Sequence, residues 1–304
     1  MNKPTVQDIF RCFYPAYLEK YSPSPEQAKV ARNILNCKTG AYGANVSVCE
    51  ECGAVQIHYN SCRNRCCPMC QAVPKEMWMD ARREDVLDAP YFHLVFTVPD
   101  ILNPIIYNNQ KLLYDTLYHA ASATISELTA DPKHLGADVG YICILHTWGS
   151  EMNFHPHIHT ILLGGGLTSK NEWKDNGTEF FLPIRAVSKS FRGKYIDELK
   201  HLWNTGQLEF HGTAEKYRNY YVFKDLLDSC YDTEWIPYCK KTFNGAGSVI
   251  DYLGKYTHRI AISNHRIICM DDENVTFSVK DYRNKGQWKE LTLSGVEFIR
   301  RFLM

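Results

Sequence analysis

His155–Gly166 reads HPHIHTILLGGG, and Tyr141–Trp148, shortly before it, reads YICILHTW. Tyr141–Trp148 and His157–Leu163 are short apolar runs joined by a short loop, so the pattern predicts two neighbouring strands, an antiparallel pair. Alternate side chains of a strand share a face, which projects His157 and His159 together while Ile158 faces the core. His146 lies on the neighbouring strand. Imidazoles on an otherwise apolar sheet are costly unless paired or bound to an ion. The His157/His159 face is therefore a candidate metal site.

Working outward, Tyr91–Val98 (YFHLVFTV) reads as another strand, and residues 105–129 as a long helix between it and the pair. Residues 167–249 alternate helix and loop without a clear motif. Val249–Tyr256 is helical, Arg266–Met270 and Val275–Val279 form a hairpin over residues 271–274, and Ser294 with Glu297 caps a last helix. Upstream, residues 5–20 are amphipathic. Ser24-Pro25-Glu26-Gln27 supplies an N-cap, a first-position proline and a reciprocal glutamine for a helix to about Leu35. Lys75–Leu87 is a charged connecting helix. The order of elements is that of an α+β fold with an antiparallel sheet flanked by helices. A boundary falls near residue 88, with a small helical, cysteine-rich module over 1–88 and the α+β domain over 89–304.

Six of the chain's twelve cysteines fall in one segment, CEECGAVQIHYNSCRNRCCPMC, which begins at Cys49. Cys49-x-x-Cys52 and Cys67-x-x-Cys70 are separated by fourteen residues, the spacing of two knuckles sharing one tetrahedral zinc ion. Cys66, Cys62, Cys37 and His58 remain, as ligands of a second ion, as substitute ligands, or as packing. Arg63 and Arg65, interleaved with them, are candidate phosphate contacts.

Composition narrows the class. The 304 residues are 45% hydrophobic and 13% aromatic, enough for a packed core. No run of eighteen apolar residues occurs, which excludes a membrane-spanning helix, and the N-terminus lacks the apolar stretch of a signal peptide. A cytosolic location follows as the expectation, in which cysteines serve a metal rather than disulfides. Lysine plus arginine balance aspartate plus glutamate at 34 each. Residues 29–83 nevertheless carry eight basic against four acidic side chains, so a neutral total is compatible with localised phosphate contacts.

Tyr252 and Tyr256 lie four apart on one helical face, in the company of Lys255, His258 and Arg259. A tyrosine pair at this interval is usually core packing; the neighbouring cations suit a phosphate instead. NSCRNRCCPMCQ, HLVFTVP, LHTWG, HPHIHTILLGGG, YCKKTF, YLGKYTHRIAISN, KDYR and EFIRRFL follow one another in the chain. Together these blocks, from about Cys37 to the end, resemble the rolling-circle transposases of the insertion sequence ninety-one family. Those proteins are two-tyrosine HUH nucleases with an N-terminal zinc-binding domain. The family pattern has histidine where this chain has Asn45 and Cys66, and family members generally continue past EFIRRFL.

The resemblance implies the HUH type of antiparallel sheet (ferredoxin- or RRM-like) and a DNA transposase active on single strands at transposon ends and targets. His157 and His159, with His146 as third ligand, would hold Mg2+ or Mn2+. His146 precedes His157 by eleven residues, similar to the three-histidine sites of HUH relaxases. His93 is the runner-up, and His155 or His258 would contact phosphate. Tyr252 and Tyr256 would be the nucleophiles, forming 5′-phosphotyrosine intermediates without an energy cofactor. Lys255, Arg259, Lys240 and Lys241 would contact DNA. A structural Zn2+ completes the cofactors; no membrane and no small-molecule substrate is implied, a homo-oligomer is compatible, and the location would be the nucleoid of a bacterium or archaeon. Rival readings are a rolling-circle replication initiator or relaxase, a zinc-ribbon DNA-binding regulator without nuclease activity, and a phosphoesterase using the histidines alone.

Overall fold

The computed structural model describes residues 3–175, 182–233, 235, 238–241, 249–252, 254, 260–281 and 286–304, the side chains of Ala72 and Lys240 excepted. The elements begin with α1 (Val6–Lys20), α2 (Pro25–Asn36), β1 (Ala44–Val48), β2 (Val55–Tyr59), α3 (Ala72–Arg82), β3 (Tyr91–Thr97), α4 (Asn103–Asn108) and α5 (Gln110–Ala130). There follow β4 (Asp138–Trp148), β5 (Phe154–Leu167), β6 (Trp173–Asp175), α6 (Ile184–Asn204), α7 (Tyr220–Asp232) and β7 (Tyr238–Lys241). Last come β8 (Ile267–Met270), β9 (Asn274–Asp281), β10 (Gln287–Ser294) and α8 (Gly295–Phe302). The α+β class read from the sequence is the class observed. Among the described residues, no helix is long and apolar enough to cross a membrane.

Two compact units divide the chain. One comprises Met1–Ala81, Trp148–Phe154 and Gly254–Met304, the other Arg82–Thr147 and His155–Leu253. The boundary near residue 88 follows chain order, whereas packing returns the C-terminal segment to the N-terminal unit.

In the first unit the helix starts are where the sequence puts them. Thr5 and Asp8 cap α1 reciprocally, and Ser24 and Gln27 do the same for α2, with Pro25 at its first position. Phe10, Phe13 and Tyr17 of α1 pack with Ile34 of α2 and with Phe298 and Phe302 of α8. Beneath them lies an antiparallel sheet in the order β10-β9-β8. Val275, Phe277 and Val279 alternate into this core from β9, each fully buried. Strand β10 was not anticipated: its QWKELTLS is mostly exposed, and only Leu291 and Leu293 alternate towards the core. Its register with β9, from Gln287↔Asp281 to Ser294↔Asn274, holds it instead.

Glu297 on α8 accepts from Arg300 Nε at 2.6 Å and from Arg301 Nε at 2.7 Å. The Arg300 hydrogen bond, then Arg301, holds its carboxyl down at about 2, against an ordinary 4.5. A depressed folded value means stability that is present above the unfolded value and lost as pH falls from about 4.5 towards 2. Glu297→Gln should therefore lower stability at pH 7 by about 1 kcal/mol, the pairs being partly exposed. Thermal unfolding across pH should show that difference shrinking below pH 4.5.

The second unit is built on a five-stranded sheet of order β4-β5-β3-β7, with β6 beside β5. Strand β3 runs antiparallel to both β5 and β7. Phe92, Leu94 and Phe96 of β3, with Ile158, Thr160 and Leu162 of β5, form one buried face. Phe96 meets Phe191 of α6 there at a ring separation of 4.8 Å. By the period of two, His93, His157 and His159 belong to the opposite face. At the far end of β5, Gly166 is forced by close approach: a Cβ would collide with the Asp138 carbonyl oxygen of β4. Gly166→Ala should cost about 2 kcal/mol through displaced backbone, checked by denaturant unfolding.

Candidate metal centres and nucleophile

Strand alternation and β4–β5 pairing bring three imidazoles together. The ligand-capable nitrogens of His146, His157 and His159 lie within 4.8 Å of one another, and the Nε2 atoms of His157 and His159 are 3.0 Å apart. His157 Nδ1 donates to the His155 carbonyl oxygen at 2.7 Å, so its proton is on Nδ1 and its Nε2 is a lone pair. Burial pushes the His157 imidazole down to about 3 and lowers His159 as well, with His157 adding to the effect on His159. Both rings are neutral at physiological pH, the form that binds an ion. Nitrogens about 3.0 Å apart also suit neighbouring ligands on one cation with bonds of about 2.1 Å. The donor set therefore fits a divalent metal.

The expected trio is thus assembled, His146 included. His155 and His93 border the trio without joining it. His155 Nδ1 is 3.1 Å from the Asp100 carboxylate. His93 does not join the trio; it reaches Tyr252 instead. Tyr252 Oη contacts His93 Nε2 and lies 3.1 Å from His159 Nδ1. A phenol thus reaches the rear of an imidazole whose other nitrogen faces the candidate ion. Alternation in YFHLVFTV carries the signal for His93, because it places that residue opposite Phe92 and Leu94.

The second centre departs from the spacing argument. Cys67 and Cys70 are grouped with Cys37 and Cys62, not with Cys49 and Cys52, and the four sulfurs lie within 4.8 Å of one another. The reason is the unanticipated β1–β2 hairpin. Its base is tied to the Cys37 turn, where Lys38 N–H donates to the Asn60 carbonyl and Asn60 N–H to that of Gly43. Five paired residues then carry Cys49 and Cys52 roughly 16 Å away at about 3.3 Å per residue. Both are exposed there. Hydrogen bonds from the Cys52 and Glu51 backbone hold the Cys49 thiol below its ordinary range.

Cys37 enters the group because it caps the C-terminus of α2. The buried Gln7 side chain of α1 clamps that turn, donating to the carbonyl oxygens of Ile34 and Cys37. Across the cluster, Asn64 accepts from Cys66 N–H and Gln71 donates to the Asn64 carbonyl, which knits the loop carrying Cys62, Cys67 and Cys70. Burial pushes the Cys62 thiol up to about 12 and raises Cys67 too. Four thiols side by side, three of them buried and Cys62 half-buried, call for a cation to ionise against. Cys62 and Cys70 sulfurs are 3.7 Å apart, far beyond a disulfide. That separation matches the edge of a tetrahedron with metal–sulfur bonds of about 2.3 Å. The donor chemistry fits zinc.

Cys66 lies outside this group, and His58 is exposed on β2 opposite Asn45. Arg63, Arg65 and Lys241 are exposed, and Lys240 pairs through its backbone with His93. Tyr256, Lys255, His258 and Arg259 lie outside the described residues.

Residues 140–304 match the family profile described as "Putative transposase", and residues 9–98 match that of the "Transposase zinc-binding domain". The chain belongs to the insertion sequence ninety-one family of transposases. This transposase is 40% identical over 303 residues to "Putative transposase y4qJ" of Sinorhizobium fredii (strain NBRC 101917 / NGR234), covering 99% of this chain and 76% of that protein. It is 29% identical over 280 residues to the "Transposase for insertion sequence element IS801" of Pseudomonas savastanoi pv. phaseolicola, covering 90% of this chain but 65% of that one. Among solved structures, the conjugative relaxase TrwC in its metal-bound complex with oriT DNA is similar at 13% identity and a TM-score of 0.31, over 86% of this chain and 98% of that one.

Proposed function

We propose that this transposase cleaves single-stranded DNA at transposon ends and transfers the strand through 5′-phosphotyrosine intermediates, as in rolling-circle transposition. The observation that carries this reading is the Tyr252 hydroxyl placed 3.1 Å from His159 Nδ1, beside the His146/His157/His159 trio. A divalent ion bound by that trio, Mn2+ or Mg2+, would withdraw charge from the scissile phosphate and orient it. Imidazole donors favour Mn2+ over Mg2+.

The phenol of Tyr252 attacks phosphorus. The new O–P bond replaces the bond to the 3′-oxygen, which leaves and takes up a proton as the phenol loses one. The ester count is conserved, so no energy cofactor is consumed. Tyr256, the second tyrosine of the motif, performs the corresponding attack, so that one covalent intermediate forms with donor and one with target DNA. Arg63, Arg65, Lys240, Lys241, Lys255, His258 and Arg259 are the proposed phosphate contacts. A Zn2+ held by Cys37, Cys62, Cys67 and Cys70 is structural, since four thiolates leave no open position.

Cleavage of a labelled single strand carrying end sequences, with and without Mn2+, tests the reading. Metal-dependent cleavage is expected. Binding without cleavage would favour the zinc-ribbon regulator.

A further inference from the structure

The tip of the β1–β2 hairpin carries a pair of metal donors that the four-sulfur cluster does not use. Val48↔Val55 is the last pair of the ladder. Beyond it the Cys49 N–H donates to the Ala54 carbonyl at 2.9 Å, and the Gly53 N–H returns to the Cys49 carbonyl at 2.9 Å. Gly53 closes this turn at φ +70°, a left-handed backbone that suits glycine. The turn directs the backbone N–H groups of Glu51 and Cys52, together with the Cys52 thiol, at the Cys49 sulfur. Two sulfurs therefore stand side by side, with amide donors already aimed at a thiolate. That is the knuckle a CxxC turn offers to a tetrahedral ion, and it supplies two of the four donors that zinc takes.

The other two donors must come from outside the hairpin. Cys49 and Cys52 are exposed, as is every residue of β1 and β2. The buried cluster lies roughly 16 Å back along the strands, and its four sulfurs already complete one another. Val46, Val48, Val55 and Ile57 share one face of the ladder and are 63%, 59%, 60% and 54% exposed. An aliphatic strip reaching the knuckle, on a two-stranded sheet that is marginal alone, fits a protein surface. Glu50 and Glu51, exposed between the cysteines, disfavour a phosphate as occupant. A second hairpin of the same chain offers both missing parts, two further thiols and a matching aliphatic strip.

We propose that two copies of this transposase clasp one zinc ion between their hairpin tips, each contributing Cys49 and Cys52. A two-fold axis through the ion makes the contact self-complementary. The thiols release their protons as they bind, and four thiolates leave no open position, so the clasp is structural.

The test is the zinc content and molar mass of the full chain under reducing conditions, which exclude intermolecular disulfides. Wild type loaded with zinc and freed of excess should hold about 1.5 zinc per chain, one in the cluster and half of the clasp, at the mass of two chains. Cys49→Ser/Cys52→Ser should hold about 1 zinc per chain and run as a single chain; the retained cluster zinc shows that the variant is folded. Cobalt titration of wild type should give a thiolate-to-cobalt absorption phase that ends near about 0.5 equivalent per chain and is missing from the variant. About 2 zinc per chain on a monomer would mean that each chain completes the site itself, and about 1 zinc per chain would mean that the tip holds none; either overturns the proposal. So does a variant that keeps the wild-type zinc content or the wild-type mass.

Discussion

Replacing His157 and His159 together by alanine should abolish tight Mn2+ binding and reduce strand cleavage by about a thousandfold, roughly 4 kcal/mol of transition-state stabilisation. The trio would be left with His146 alone, and a single imidazole does not hold a divalent ion. The fold should survive. Both side chains project from the sheet face opposite Phe92, Leu94 and Phe96, whose packing with α6 does not involve them. Circular dichroism and thermal unfolding are therefore expected to stay close to wild type, while calorimetry loses the ion. Chelated wild-type protein should match the double variant. Full cleavage by the variant would show that the trio is not the reacting centre.

Cys67→Ser should have the largest effect on stability. It removes a fully buried sulfur, itself raised by burial, from a cluster that would ionise against a bound cation. Loss of one equivalent of zinc and of about 5 kcal/mol or more of stability is expected, measured by metal analysis and unfolding. Cys37→Ser should behave alike, because Cys37 belongs to the same four sulfurs. The double change Cys49→Ser/Cys52→Ser should leave that zinc in place. Zinc lost from the hairpin variant but kept by Cys37→Ser would reverse the ligand assignment.

Strand period and helix caps are written locally in this chain, whereas contacts between distant segments are not. The histidine trio was legible because a strand has a fixed period: HPHIH on an apolar run can only place His157 and His159 together, and His146 lies on the adjoining strand. Helix starts were legible because caps are local, as Ser24 and Ser294 show. The four-cysteine cluster was legible only in Cys67 and Cys70; that Cys37 and Cys62 rather than Cys49 and Cys52 lie beside them was not, because CxxC spacing sees only the nearest turn. Nothing local in Cys37 says that the end of α2 folds beside Cys62 and Cys67, and nothing in CEECGA says that a hairpin carries it away. Strand β10 escaped for a related reason, since its stability comes from pairing with β9. His93 was visible as a polar residue on an apolar strand, but its partner Tyr252 is 159 residues away.

Covalent joining of Tyr252 and Tyr256 to DNA is the step on which the proposed reaction stands. It is tested most directly by incubating the wild type and the Tyr252→Phe/Tyr256→Phe variant with end-derived single-stranded oligonucleotides and Mn2+, then resolving the products on a denaturing gel. The wild type should give a protein–DNA adduct that maps to a tyrosine peptide, and the double variant none. An adduct that persists in the double variant, or metal-dependent cleavage by the wild type with no adduct at all, would contradict it.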